Sequence, residues 1–154
     1  MTFSRVLESK KIELEEQQSE VDVDLHLTAA ILMFAVIKAD GDTDHLELAH
    51  MVDILRSRYA LSSDEISSLV SAARNASVSD HGLELLAQKL CGQWSAKERE
   101  QLLNDFWFLA TADREIRIDE RLVIELIANN LELQADDITR ARYQAEQRLE
   151  LNIG

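Results

Sequence analysis

Two stretches of the chain carry one pattern: a strongly apolar helix ending in Ala-Asp, a short acidic turn, and an amphipathic helix. In the first, the run ILMFAVIK leads into Ala39-Asp40-Gly41-Asp42-Thr43-Asp44. In the second, DFWFLAT leads into Ala112-Asp113-Arg114-Glu115-Ile116-Arg117. Asp40 and Asp113 are 73 residues apart, whereas Met51-Val52-Asp53-Ile54-Leu55 aligns on Val123-Ile124-Glu125-Leu126-Ile127 at a separation of 72. That change places a one-residue deletion in the second turn. The separation of 72 then persists from Leu61-Ser62-Ser63-Asp64-Glu65-Ile66 to Leu133-Gln134-Ala135-Asp136-Asp137-Ile138. Shared apolar phase, turn position and acidic punctuation predict two pseudo-equivalent halves, residues 24–76 and 79–150.

The halves must be helical. The 154 residues include no proline and only 4 glycines, so almost nothing interrupts a helix, and β-type alternation is confined to Val21-Asp22-Val23. With 46% hydrophobic and 29% charged residues, the chain reads as one globular domain over residues 1–154. A chain of this size buries roughly two-thirds of its unfolded surface. The expected fold is all-α, a compact bundle of seven to eight helices. An amphipathic N-terminal helix over about residues 2–19 presents Phe3, Val6, Leu7 and Leu14 and is the least firmly packed. A helix apolar on nearly every side runs from an N-cap at Asp24 to Ala39, followed by one over 45–60. Ser62 with Glu65, and Ser95 with Glu98, have the spacing of capping boxes and open two more helices. Another starts at Ser79 or Asp80, and the last two cover 119–131 and 136–149.

A formal net charge of −13 disfavours nucleic acid, whose binding depends on lysine and arginine displacing counterions, and equally disfavours anionic lipid. The first twenty residues lack the apolar core of a signal peptide, and the longest apolar run, Leu27 to Ile37, falls short of the ~20 residues that span a bilayer. A cytoplasmic location without membrane insertion is expected. The single Cys91, at apolar spacing after Leu86 and Leu90, reads as a small core residue rather than a nucleophile. Trp107 falls in the register of a buried helix, and Trp94 sits at a helix junction. No nucleophile elbow, phosphate-binding glycine loop or Cys/His metal framework is present.

The apolar helix ending in Ala39-Asp40-Gly41, its acidic turn and the cadence ELAHMVDILRSRYALSSDEI resemble the TerB family, the tellurite-resistance-associated helical domain. The second copy, LATADREIRIDERLVIELIANNLELQADDI, resembles that family's second half, and the likeness covers about residues 24–145. The resemblance implies an all-helical protein of two halves, linked to bacterial responses to tellurite and other stresses, whose acidic turns bind a divalent cation. It carries over to Asp40, Asp42 and Glu47 in the first turn, and to Asp113, Glu115, Asp119 and Glu120 in the second. Arg114 stands where the pattern has glycine, so a positive φ is not expected there. Family members that are co-chaperones carry a J-domain, but its His-Pro-Asp tripeptide is impossible in a chain without proline.

Charge separates the two turns. Asp40, Asp42, Asp44 and Glu47 have no cation among them, a formal −4, whereas Arg114 and Arg117 reduce the second turn to −2. The first turn is therefore the better cation candidate, with Ca²⁺ or Mg²⁺ favoured over Zn²⁺ by an all-oxygen donor set. It is not an EF-hand: Asp40, Asp42 and Asp44 alternate correctly, but His45 replaces the required glycine and Met51 the bidentate glutamate. Glu47-x-x-His50 has the spacing of a di-iron ligand pair, but Asp119-Glu120-Arg121-Leu122 supplies no second histidine. His26, His45 and His81 are expected to be exposed. Without a ligand, the same carboxylates would cap helix N-termini. The chain is thus expected to be a non-enzymatic interaction or scaffold protein of a stress-response or membrane-associated assembly, modulated by a divalent cation. A metal-dependent enzyme or metal buffer using the same carboxylates is the alternative. Dimerisation through the N-terminal helix is a further expectation.

Overall fold

The scarcity of helix breakers leaves the chain free to run as helices, and among the described residues, 22–41 and 43–153 of the computed structural model, every regular element is one. They are α1 (22–37), α2 (His45–Tyr59), α3 (Ser63–Asn75), α4 (Asp80–Cys91), α5 (Ala96–Ala110), α6 (Ile118–Ala128) and α7 (Ala135–Ile153). The expected helix over 2–19 lies outside the described residues, as does Asp42.

Cap chemistry fixes most of the starts. Ser62 and Ser95 each accept a hydrogen bond from the N3 amide while Glu65 and Glu98 reach back to the cap, so both expected capping boxes are complete. Ser79 caps α4 by accepting from the Gly82 amide. Asp24 is not a cap. The helix is already formed at residue 22, and the Asp24 carboxylate instead pairs with Lys89 of α4.

The core is built around α1 and α5. Leu32, Met33, Val36 and Ile37 from α1 share one core cluster with Leu102, Leu103, Phe106, Trp107 and Leu109 from α5, all fully or almost fully buried. Each such side chain contributes about 1.5–3 kcal/mol by leaving water. Helix α5 is the hub, packing against α2, α4, α6 and α7, while α3 rests on α2. Lys38, just after α1, donates to the Ala76 carbonyl at the end of α3. Arg99 clamps the chain after α6 by donating to the Leu131 and Glu132 carbonyls.

The two acidic turns share local geometry. Ala39 and Ala112 donate to Val36 and Leu109, and Gly41 and Arg114 donate to Lys38 and Thr111, both at 3.0 Å for the second pair. Gly41 has φ 89° and Arg114 φ 67°. The expectation that Arg114 avoids positive φ is therefore overturned: the turn's hydrogen bond is kept and the arginine accepts the left-handed region. The register also differs from the sequence alignment. Glu47, Met51, Ile54 and Leu55 are buried in α2, and Glu120, Ile124, Ile127 and Ala128 in α6, so the separation of 73 continues into the helices. It becomes 72 only between the left-handed residues Ala60 and Glu132, which places the missing residue at the end of α6 rather than in the turn. A one-residue slip in LVIELI still aligns apolar on apolar, so residue type alone does not fix the register there.

Candidate site between the two acidic turns

The end of α1 and the end of α5 bring their turns together, and each turn delivers the first residues of the next helix to a shared cleft. Asp44 is the N-cap of α2, its Oδ1 accepting from the amides of Leu46 at 2.7 Å and Glu47 at 3.2 Å. Capping holds the carboxylate in one orientation. Glu47 follows at the third helical position and points inward, only 2% exposed. Glu120 occupies the same position in α6 and is 0% exposed. The two glutamates face each other across the cleft, with Asp113 beside them.

Oxygen atoms of Asp44, Glu47 and Asp113 lie within 4.8 Å of one another. One Glu47 oxygen and both Glu120 oxygens are buried, and no side chain outside the pair donates to them. Burial pushes the Glu47 carboxyl well above the usual carboxylate range, reinforced by its contact with Glu120 and by the charges of Asp113 and Asp44. Burial raises Glu120 as well, more modestly, because it accepts the hydrogen bond from Glu47. The pair is thus a carboxylic acid donating to a carboxylate, a shared-proton arrangement of two like groups.

A cation fits this donor set. Three oxygens within 4.8 Å of one another suit a centre at the ~2.3–2.6 Å distances of Ca²⁺. All donors are hard oxygens, which also suits Mg²⁺. The orphaned glutamate oxygens are groups that burial makes costly to leave without a partner.

The structure groups the expected site residues differently from the sequence. Asp44 and Glu47 come from the first turn but Asp113 comes from the second, so the site belongs to neither turn alone. Glu120 backs Glu47. Asp40 is engaged instead by Arg117, whose Nη1 lies 2.6 Å from its Oδ2, and the other guanidinium nitrogen of Arg117 is 3.8 Å from Asp113. The first turn's charge is therefore compensated by an arginine of the second, contrary to counting each turn separately. Glu115 and Asp119 are exposed and stand outside the cluster.

The histidines and the lone cysteine lie elsewhere. His50 packs edge-on against Phe108, with ring centroids 4.6 Å apart, and takes no part in the acidic cluster. His45 and His81 are exposed as expected, but His26 is half-buried against the Tyr59 ring at 4.7 Å, and its burial lowers its pKa. Cys91 donates to the Ala87 and Asn130 carbonyls, and burial pushes its thiol up, away from the nucleophilic form. Trp107 is buried in the core, and Trp94 packs on Tyr59.

One buried polar group lies outside the residues expected from the sequence. Asp105, 4% exposed in the middle of α5, takes two hydrogen bonds from Arg58, at 2.9 and 3.4 Å, and one from Gln101 at 3.2 Å. The available signal was an acid inside the apolar run LLNDFWFLA. A carboxylate there has to be paired.

A family model described as "Tellurite resistance protein TerB" matches residues 26–143, a span that includes both turns and all the cluster residues. A search of the curated proteins and a search of the solved structures each give no match.

Proposed function

The chain belongs to the TerB family of tellurite resistance proteins, and we propose that it acts within that setting without catalysing a reaction, as an interaction protein whose state is set by a divalent cation. Asp44, Glu47 and Asp113 would hold the ion, with Glu120 behind Glu47. The cation would bridge carboxylates of both turns and so tie the α1–α2 turn to the α5–α6 turn. The observation that carries this reading is the buried Glu47–Glu120 pair, to which no side chain outside the pair donates, beside two further carboxylates.

The surroundings of the cleft support an interaction role rather than chemistry on a bound substrate. Leu46 and Ile118, on the first turns of α2 and α6, and Leu122, one turn after Ile118, are large exposed apolar side chains. Such residues beside a charge-sensitive turn suit contact with a protein partner in a stress-response or membrane-associated assembly. A cytoplasmic location fits this reading. Among the described residues no helix is long and apolar enough to cross a membrane. The acidic surface suits neither nucleic acid nor direct insertion into a membrane.

Titration of the full chain with Mg²⁺, Ca²⁺, Mn²⁺ and Zn²⁺ tests the reading, following melting temperature and backbone amide shifts. The expected result is a saturable rise in melting temperature, with shifts centred on residues 40–47 and 113–120 and larger for Ca²⁺ or Mg²⁺ than for Zn²⁺. No response at those amides from any of the four ions would sink it.

A further inference from the structure

Helix N-caps are ordinarily Ser, Thr, Asp or Asn, because their oxygens accept from free backbone amides. The first turn follows this rule with Asp44. At the corresponding place in the second turn the N-cap is Arg117, in extended conformation with φ −79° and ψ 149°, and it makes no side-chain cap hydrogen bond. A cap oxygen is given up and a positive charge is set against a helix N-terminus, which the macrodipole disfavours. The guanidinium instead reaches across to the other turn, where Nη1 lies 2.6 Å from Asp40, while Nη2 lies 3.8 Å from Asp113 of its own turn. Asp113 is itself one of the three clustered carboxylates.

We infer that Arg117 is a tethered counter-ion that competes with the divalent cation for this cleft and sets how tightly the cation is held. The inference rests on the cation reading above. A guanidinium on its own chain acts at high effective concentration and needs no ligand in solution to neutralise the acids. It shares Asp113 with the cation, so an incoming ion must loosen the longer contact to Asp113, while the shorter one to Asp40 can persist. Even when displaced to the rim, the arginine remains a like charge within a few ångströms of the ion. The design difference between the turns follows: the first supplies a ligand at its N-cap, and the second supplies the cation's competitor.

The test is Arg117→Gln in the full chain, measured by calorimetric titration with Ca²⁺ and Mg²⁺ and by the amide shifts of residues 40–47 and 113–120. Cation affinity is expected to rise by about tenfold or more on removing a unit positive charge at this range. Arg117→Lys, which keeps the charge, should stay within about threefold of the parent. The control is Arg121→Gln. Arg121 lies one turn further along α6 and pairs with Glu125 at 3.1 Å, outside the cluster. It should change affinity by no more than about twofold, because its guanidinium is paired with Glu125 and contacts none of the clustered carboxylates. Equal affinities for the Arg117→Gln and Arg121→Gln proteins overturn the inference and leave cation binding standing. Absence of binding in the parent and in all three variants overturns the cation reading and the inference with it. Should Arg117→Gln fail to fold, the inference still requires near-parent affinity in Arg117→Lys and falls if that variant binds tenfold tighter.

Discussion

The two acidic turns share a backbone, an aspartate and an inward glutamate, and differ at the left-handed residue and at the helix cap. Both close with the same hydrogen bonds, both place a residue at positive φ, and both bury a glutamate at the third position of the next helix. The first uses glycine for the left-handed residue and aspartate for the cap; the second uses Arg114 and Arg117. The first turn is thus the one with undistorted local chemistry, and the second trades a cap and a favourable φ for positive charge beside the acids. What the two have in common, the inward glutamate, marks what the cleft needs from each side.

The largest expected effect concerns that common feature. A carboxyl whose folded pKa lies above its unfolded value stays protonated in the native state. Its contribution to stability is complete below the ordinary value of 4.5 and is lost as pH rises through the folded value, about 9 for Glu47. Without added metal, stability from denaturant melts should therefore fall as pH rises across that window, by on the order of 3 kcal/mol after allowing for relaxation of the cleft. The groups facing the pair are Asp40, Asp44, Asp113 and Arg117, and the acids deepen the fall. Glu47→Gln imitates the protonated acid and should flatten the profile. Should Glu47→Gln keep the full slope, the two turns are not coupled through this proton. A bound cation needs the carboxylates ionised, so its affinity should rise with pH over the same range.

Much of this molecule was legible in its sequence, and the illegible part has a physical pattern. Helices, capping boxes and the buried character of α1 and α5 follow from local spacing, and they were readable because each depends on residues three or four apart. The acids at both turns were also visible. Their meeting was not, since nothing in either turn says which other segment it faces. The same blindness hid the Arg117 bridge to Asp40 and the pairing of Asp105 with Arg58 across 47 positions. It also made the first turn seem uncompensated. The helix register failed for a different reason: apolar type alone does not distinguish adjacent positions in a run of Leu, Val and Ile, whereas the inward glutamate does.

Cap chemistry offers the next test of the contrast between the turns. Asp44→Ala removes an oxygen that accepts from two amides and should cost about 1 kcal/mol, with fraying of the first turn of α2 visible in amide exchange. Arg117→Ala removes no cap bond. In the absence of cation it should cost less, within the ~0–1 kcal/mol typical of exposed ion pairs. Equal losses would mean that Asp44 acts mainly through charge rather than as a cap.

The smallest effect discriminates most finely, because it changes sign between the turns. A Cβ added at Gly41 would meet nothing within 4 Å, so Gly41→Ala tests the backbone alone. At φ 89° it should destabilise by about 1 kcal/mol. Arg114 already bears that penalty at φ 67°, and Arg114→Gly relieves it while adding freedom to the unfolded chain. The net gain should be about 0.5 kcal/mol, read as a rise in denaturation midpoint with an unchanged slope. A loss on Arg114→Gly would show that the arginine side chain contributes more than its strained backbone costs, and the second turn would then be specialised at two positions rather than one.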